Sequence, residues 1–305
     1  LVPALRAKGL GGFDAWTGSF ALEWQEFHAR HWREIVAVLA VTILCLRDGW
    51  RVPGRAWCRR MSALPLMLSV LLGIVFIVEA ADDRRTVREA FRNFYGTLKL
   101  QEYNADIPDS HFFLLAHGGT THGIQFTAPD RSWWATTYYG AASGIGRAID
   151  QLPGTRRIGL VGLGTGTLAA YGRPGDAICF YEINPVIEDL ARHRFTYLDR
   201  SPADVEVALG DARLVMEDEL RRGRPRQFDL LALDAFSSDA IPVHLLTREA
   251  FAVYLGHLRP GGVIAVHISN RYLNLKPVVE ALADAHGLAA VTIEDEPDKE
   301  DWWLY

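Results

Sequence analysis

The chain has 305 residues, enough for one large or two ordinary domains, with 49% apolar residues and a formal net charge of −5. That balance leaves no general basic surface for nucleic acid. Cys45, Cys58 and Cys179 are too scattered for a disulfide framework or a zinc site, which fits a reducing compartment. The chain opens at Leu1 and stops mid-pattern in "DKEDWWLY", so it reads as a piece cut at both ends.

The apolar excess is local. Residues 61–78, "MSALPLMLSVLLGIVFIV", are 18 uncharged residues between Arg59-Arg60 and Glu79, within the ~17–25 that a membrane helix needs. A second run, "IVAVLAVTILCL" (35–46), is shorter, and Trp24, Trp32, Trp50 and Trp57 stand around both as interfacial anchors would. Residues 1–90 are therefore expected to be a hydrophobic, membrane-associated helical region, the remainder facing the cytoplasm. The alternative is a helical hairpin packed against a soluble domain. Arginines lie on both sides of the longer run, so the positive-inside rule chooses no orientation.

Residues 91–135 change texture. "FYGTLKLQEY", "HFFLLAHG" and "THGIQFT" are short aromatic and β-branched runs separated by Asp, Pro and Gly, and predict a small antiparallel sheet of three strands. From 136 to 305, after a helix ending near Pro153, strands alternate with helices, the pattern of a Rossmann-like α/β fold with a parallel sheet and helices on both faces. Six strands are expected: Ile158–Leu163, Ala177–Ile183, Val205–Leu209, Phe228–Asp234, Val263–Ile268 and Leu288–Ile293, with no final closing strand. The helices are expected near Pro185–His193, Leu214–Arg221, Arg248–His257 and Leu275–His286.

The loop after the first of these strands, "GLGTG", carries Gly162, Gly164 and Gly166 but Thr167 where a dinucleotide fingerprint has its third glycine. The helix behind it, "TLAAY", is short and offers little dipole for two phosphates. Three acids then end or follow successive strands: Glu182, Asp211 (with Ala212 behind it) and Asp234. Ligands of open parallel sheets sit outside the carboxyl ends of the strands, so these acids converge on one crevice. Glu182 is placed for ribose hydroxyls, Asp211 for an adenine amino group, and Asp234 for a cation meeting a sulfonium. Each alone is equally a helix cap or a solvated turn residue. Their order favours an adenosyl sulfonium over a dinucleotide.

With these parts in order, residues 91–305 resemble the spermidine synthase (polyamine aminopropyltransferase) family: "HGGTTHGIQF", "TTYYGAASGIG", the glycine loop, "YEINP", "LGDARLVM" and "LDAFSSDAIPVHLLTREAF". The hydrophobic N-terminal part is similar to bacterial members whose domain follows membrane helices. The resemblance implies an aminopropyl transfer from decarboxylated S-adenosylmethionine to a polyamine. Asp234 is then the general base, Tyr138, Tyr139 and Asp239 the amine site, and Gly162, Gly164, Gly166, Glu182, Asp211, Ala212 and Gln125 the donor site. Net charge argues against nucleic acid, histidine spacing against a metal, and a homodimer is possible. Departures are Thr165 where the family's loop carries an Asp, Asp239 displaced by two residues, His122 in place of an Asp, Tyr95 in place of a Gln and Tyr139 in place of a His or Gln. They leave open a small-molecule methyltransferase using S-adenosylmethionine, and a non-catalytic membrane-linked sensor of polyamine or nucleoside.

Other features read as structural. His267 in "VHISNRYLNL" is expected to be a buried or hydrogen-bonded strand histidine near the pocket rim. His111, His117 and His122 lack metal-ligand spacing. "RRGRPR" (221–226) reads as a solvated loop, and Trp302-Trp303 as packing against an edge or a partner.

Overall fold

The computed structural model describes residues 70–74, 85–235, 242–270, 273–295 and 303–304. The chain divides into two units, Leu1–Arg92 and Asn93–Tyr305. In the first, residues 70–74 are helical, and strand β1 (Val87–Asn93) spans the boundary. Among the described residues no helix is long and apolar enough to cross a membrane. This corrects the expected membrane-associated localisation and membrane partnership. Apart from residues 70–74, the runs 35–46 and 61–78 lie outside the described residues.

The second unit opens with strands β2 (Gly96–Tyr103), β3 (Phe112–His117) and β4 (Thr120–Phe126), antiparallel and in the order expected. Tyr103 pairs with Phe112, and Phe112 with Phe126, so aromatic rings stack across the strands. Leu98, Leu100, Leu115, Ile124 and Phe126 are buried. Trp303 packs on this sheet, its ring 6.0 Å from Phe126 and 5.2 Å from Trp134, and its carbonyl accepts the Thr137 N–H at 2.6 Å. The edge packing expected of Trp303 is thus present; Trp302 lies outside the described residues.

Beyond it, β5 (Arg157–Val161), β6 (Ala177–Glu182), β7 (Asp204–Leu209), β8 (Phe228–Leu233) and β9 (Leu258–Val266) form a parallel sheet in the order β7-β6-β5-β8-β9. The strands follow from composition. Every residue of β8, "FDLLAL", is buried, as a central parallel strand must be, while the edge strand β7, "DVEVAL", has no buried residue. The order reverses between β5 and β8. Right-handed crossovers then place the helices of the two halves on opposite faces and open a crevice at that switch point.

The helices are α1 (Gly144–Asp150), α2 (Pro185–His193), α3 (Tyr197–Arg200), α4 (Ala212–Arg221), α5 (Arg248–His257) and α6 (Lys276–Ala285). Side-chain caps fix several starts: Asn184 accepts the Val186 N–H, Asp211 that of Leu214 and Thr247 that of Ala250. Leu288–Ile293 is not a strand, contrary to expectation, and the sheet has five strands among the described residues. Val291 is 87% and Ile293 41% exposed, so the apolar composition of this run is not matched by the burial of a sheet strand.

Candidate active site

Backbone hydrogen bonds carry the ladder one step past the strand ends. Gly162 N–H reaches Tyr181 O at 2.9 Å, Gly210 N–H reaches Glu182 O at 2.8 Å, Asp234 N–H reaches Val161 O at 2.8 Å and His267 N–H reaches Leu233 O at 3.0 Å. They align Gly162, Glu182, Asp234 and His267 on one rim. Gly162 adopts φ 101°, and a Cβ there would stand 2.4 Å from the Asp234 carbonyl oxygen. Only glycine lets the ends of β5 and β8 close this far. Gly164 and Gly166 also have positive φ, and behind them Thr167–Tyr171 is a 3-10 turn of five residues. So short a turn gathers little dipole for a pyrophosphate.

Glu182 is 6% exposed. Its Oε2 accepts the Leu163 N–H at 3.0 Å and its Oε1 the Asn184 N–H at 2.8 Å, which fixes the carboxylate against the glycine loop. Burial pushes its carboxyl above the usual range, although the Asn184, Leu163 and Ile183 N–H groups pull the other way. A carboxylate has about four lone-pair sites, so these backbone bonds leave it acceptor capacity. Beside it, the Asn184 Nδ2 is buried with no hydrogen-bond partner among the described residues, while its Oδ1 accepts from Asn93 at 2.7 Å. A pair of acceptors next to an unpaired donor fits the hydroxyls of a ribose.

Asp234 lies across the rim. Its Oδ2 accepts the Tyr139 hydroxyl at 2.5 Å, and its Oδ1 stands 2.7 Å from His267 Nδ1. The Tyr138 hydroxyl is 3.2 Å from that of Tyr139, and the Tyr138 ring lies 4.4 Å from the rings of both Tyr139 and His267. Burial, and then the Asp234 charge, push the Tyr139 hydroxyl well above the ordinary phenol value, so it stays a donor. Tyr171, in the turn behind the glycine loop, donates to the Tyr139 carbonyl at 2.5 Å and anchors it. The result is an anion flanked by aromatic faces, a surface that attracts an ammonium.

The other expected residues divide. Asp211 caps α4, and its second oxygen is 2.7 Å from His244 Nε2; Ala212 is buried directly behind it. Gln125 is 5% exposed and spends its amide on Ser132 O and on the hydroxyl and N–H of Thr196, tying β4 to the start of α3. Thr165 is buried, bonded to Thr167 and seated so tightly under Gly123 that a Cβ there would come 2.3 Å from its hydroxyl. Asp239 lies outside the described residues. Sequence reasoning missed the partnership of His267 with Asp234 and of His244 with Asp211. The available signal for His267 was its place one residue beyond a strand end, on the rim already marked by the acids. A groove of about 720 Å³ lined by Arg157, Glu206, Glu219 and Arg226 lies elsewhere, by the N-terminal ends of β5 and β8. Arg226 is paired there with Glu206 and Glu219.

No family profile matches the chain. A probable polyamine aminopropyl transferase of Bifidobacterium longum is 30% identical over 128 residues, covering 41% of this chain and 27% of that protein. A polyamine aminopropyltransferase of Vibrio vulnificus is 32% identical over 118 residues, covering 38% of each. An N-terminal histidine N-methyltransferase of Emericella nidulans is 30% identical over 109 residues, 35% of this chain and 19% of that protein. The matches thus span well under half the length of each relative.

Proposed function

We propose that this chain is a transferase that moves an aminopropyl group from decarboxylated S-adenosylmethionine to an amine nitrogen of a polyamine. The observation that carries this is the Tyr138–Tyr139–Asp234–His267 cluster on the same strand-end rim as the buried Glu182. Glu182 holds the ribose hydroxyls, Gly162, Gly164 and Gly166 let the backbone approach, and Asp211 with Ala212 borders the adenine. Gln125 stiffens the wall of the crevice through Ser132 and Thr196. When bound, the donor supplies a carbon made electrophilic by its sulfonium. Tyr138, Tyr139 and Asp239 form the amine site. Asp234 is the anion that draws in the ammonium and, in the role of general base, strips its proton, since an alkylammonium with a pKa of ~10 has no lone pair to attack with. The names of the two bacterial relatives support this reading.

A second reading is methyl transfer from S-adenosylmethionine to an amine at the same rim. It is favoured by Thr165, buried and neutral where the resemblance calls for an acid, and by the name of the fungal relative. Offering the chain a set of diamines with each donor in turn separates the two. Methylthioadenosine released from the decarboxylated donor is the expected product. S-adenosylhomocysteine formed only from the intact donor moves the assignment to methyl transfer, and the absence of both products ends the transfer reading.

A further inference from the structure

The two tyrosines beside Asp234 belong to a 3-10 turn, Thr137–Tyr139, closed by Gly140. Thr137 is β-branched, buried and at φ 57°, a conformation such a residue keeps only where its surroundings over-determine it. The surroundings are on the page. The Thr137 hydroxyl donates to the Thr136 carbonyl at 2.7 Å, and the Thr136 hydroxyl donates to the Ile124 carbonyl of β4 at 2.5 Å. The Thr137 N–H donates to the Trp303 carbonyl at 2.6 Å. At the other end of the turn Gly140 has φ −54°, open to any residue, so its glycine answers to room: a Cβ there would stand 2.9 Å from Leu304 Cδ2. Residues 303 and 304 thus hold the turn on both sides of the tyrosines. The Trp303 ring in turn rests on Phe126 of β4 and on Trp134.

Resting on the transfer reading, we infer that Trp303 and Leu304 are positioning residues for the amine substrate, acting through Tyr139. The small sheet holds Trp303, Trp303 and Leu304 hold the two ends of the turn, and the turn seats the Tyr139 hydroxyl on Asp234 Oδ2. The Tyr171 hydroxyl bonds the Tyr139 carbonyl from the side of the glycine loop. A carboxylate pinned at Oδ2 cannot turn freely, so the ammonium meets Asp234 in one orientation, the condition for proton removal and attack from a single geometry. The donor is placed instead at Glu182 and the glycine loop, at the ends of β6 and β5. The two substrates should therefore respond separately when residues 303 and 304 are changed.

The experiment measures kcat/KM for a diamine and calorimetric affinity for methylthioadenosine in the full chain and five variants. These are Trp303→Ala, the milder Leu304→Ala, the conservative Trp303→Phe, Tyr139→Phe, and Trp303→Ala combined with Tyr139→Phe. The diamine kcat/KM should fall ~10–10²-fold in Trp303→Ala and less in Leu304→Ala, with nucleoside affinity at the wild-type level. Trp303→Phe keeps an aromatic face on Phe126 and Trp134 and should recover most of the loss. The double variant should lose little beyond the worse single one, because a residue acting through Tyr139 has nothing to seat once that hydroxyl is gone. Where Trp303→Ala does not fold, the same cycle run with Leu304→Ala decides. An unchanged diamine kcat/KM in the alanine variants, losses that multiply in the double variant, or an equal loss of nucleoside affinity each overturn the inference and leave the transfer reading standing. A wild-type chain that turns over no amine with either donor overturns both.

Discussion

Glu182 and Asp234 are both strand-end carboxylates, yet their surroundings prepare them for different partners. Glu182 is gripped by backbone N–H groups and buried, with acceptor capacity left over on its oxygens. Glu182→Ala should weaken methylthioadenosine binding by about 1–3 kcal/mol in calorimetry, because the ribose hydroxyls lose their acceptor. Burial raises the Glu182 carboxyl above its ordinary 4.5, and only the ionised form accepts from both hydroxyls. Affinity should therefore climb as pH rises through that raised value, and Glu182→Gln should flatten the climb. Strand-end acids were legible in the sequence because a strand ending in Glu or Asp is a local pattern. The partnership of Asp234 with His267 was not, since 33 residues separate them and only the β8–β9 pairing brings them together. Tyr139, met as a departure from the family's His or Gln, turns out to occupy one oxygen of Asp234. Thr165, met as a lost acid, turns out to fill space under Gly123.

Among the elements, α2 and α5 have the boundaries that their caps predict, Asn184 before Pro185 and Thr247 before Arg248. The glycine-loop element is a 3-10 turn, consistent with the brevity of "TLAAY". Leu288–Ile293 misled because its apolar composition resembles that of a strand, whereas a strand also needs a neighbour to pair with. Asp211 answers to two readings at once, the cap of α4 and a ligand acid, and sequence alone ranks neither. Asp211→Ala should cost about 0.5–2 kcal/mol in denaturant unfolding through the lost cap, whereas Asp211→Asn should keep most of that stability. If Asp211→Asn nonetheless weakens nucleoside binding, the residue serves the ligand as well as the helix.

At the scale of the second unit, one buried ion pair joins four segments. Arg156 and Asp176 are each 1% exposed. The guanidinium bonds Asp176, the Ile149 carbonyl at the end of α1 and the Tyr171 carbonyl behind the glycine loop, while Asp176 also accepts the N–H of Arg156 and of Arg173. Asp176→Asn should destabilise by about 3–5 kcal/mol in thermal or denaturant unfolding, since it strands a buried cation. Burial pushes the Asp176 carboxyl up, but the bonds from Arg156 and Arg173 outweigh it and hold it below 3.8. Its contribution is therefore present above that value and lost as pH falls through the lowered one, so the wild type should lose this increment in acid and Asp176→Asn should not. Trp303 has a reach of the same kind. Its carbonyl holds the N–H of Thr137, a non-glycine residue at φ 57°, immediately before Tyr138 and Tyr139. Its indole lies 5.2 Å from that of Trp134, close enough for the excited states of the two rings to couple. The exciton circular dichroism lost in Trp303→Phe is thus a label-free optical gauge of whether Trp303 is seated on the segment that leads into Tyr138 and Tyr139.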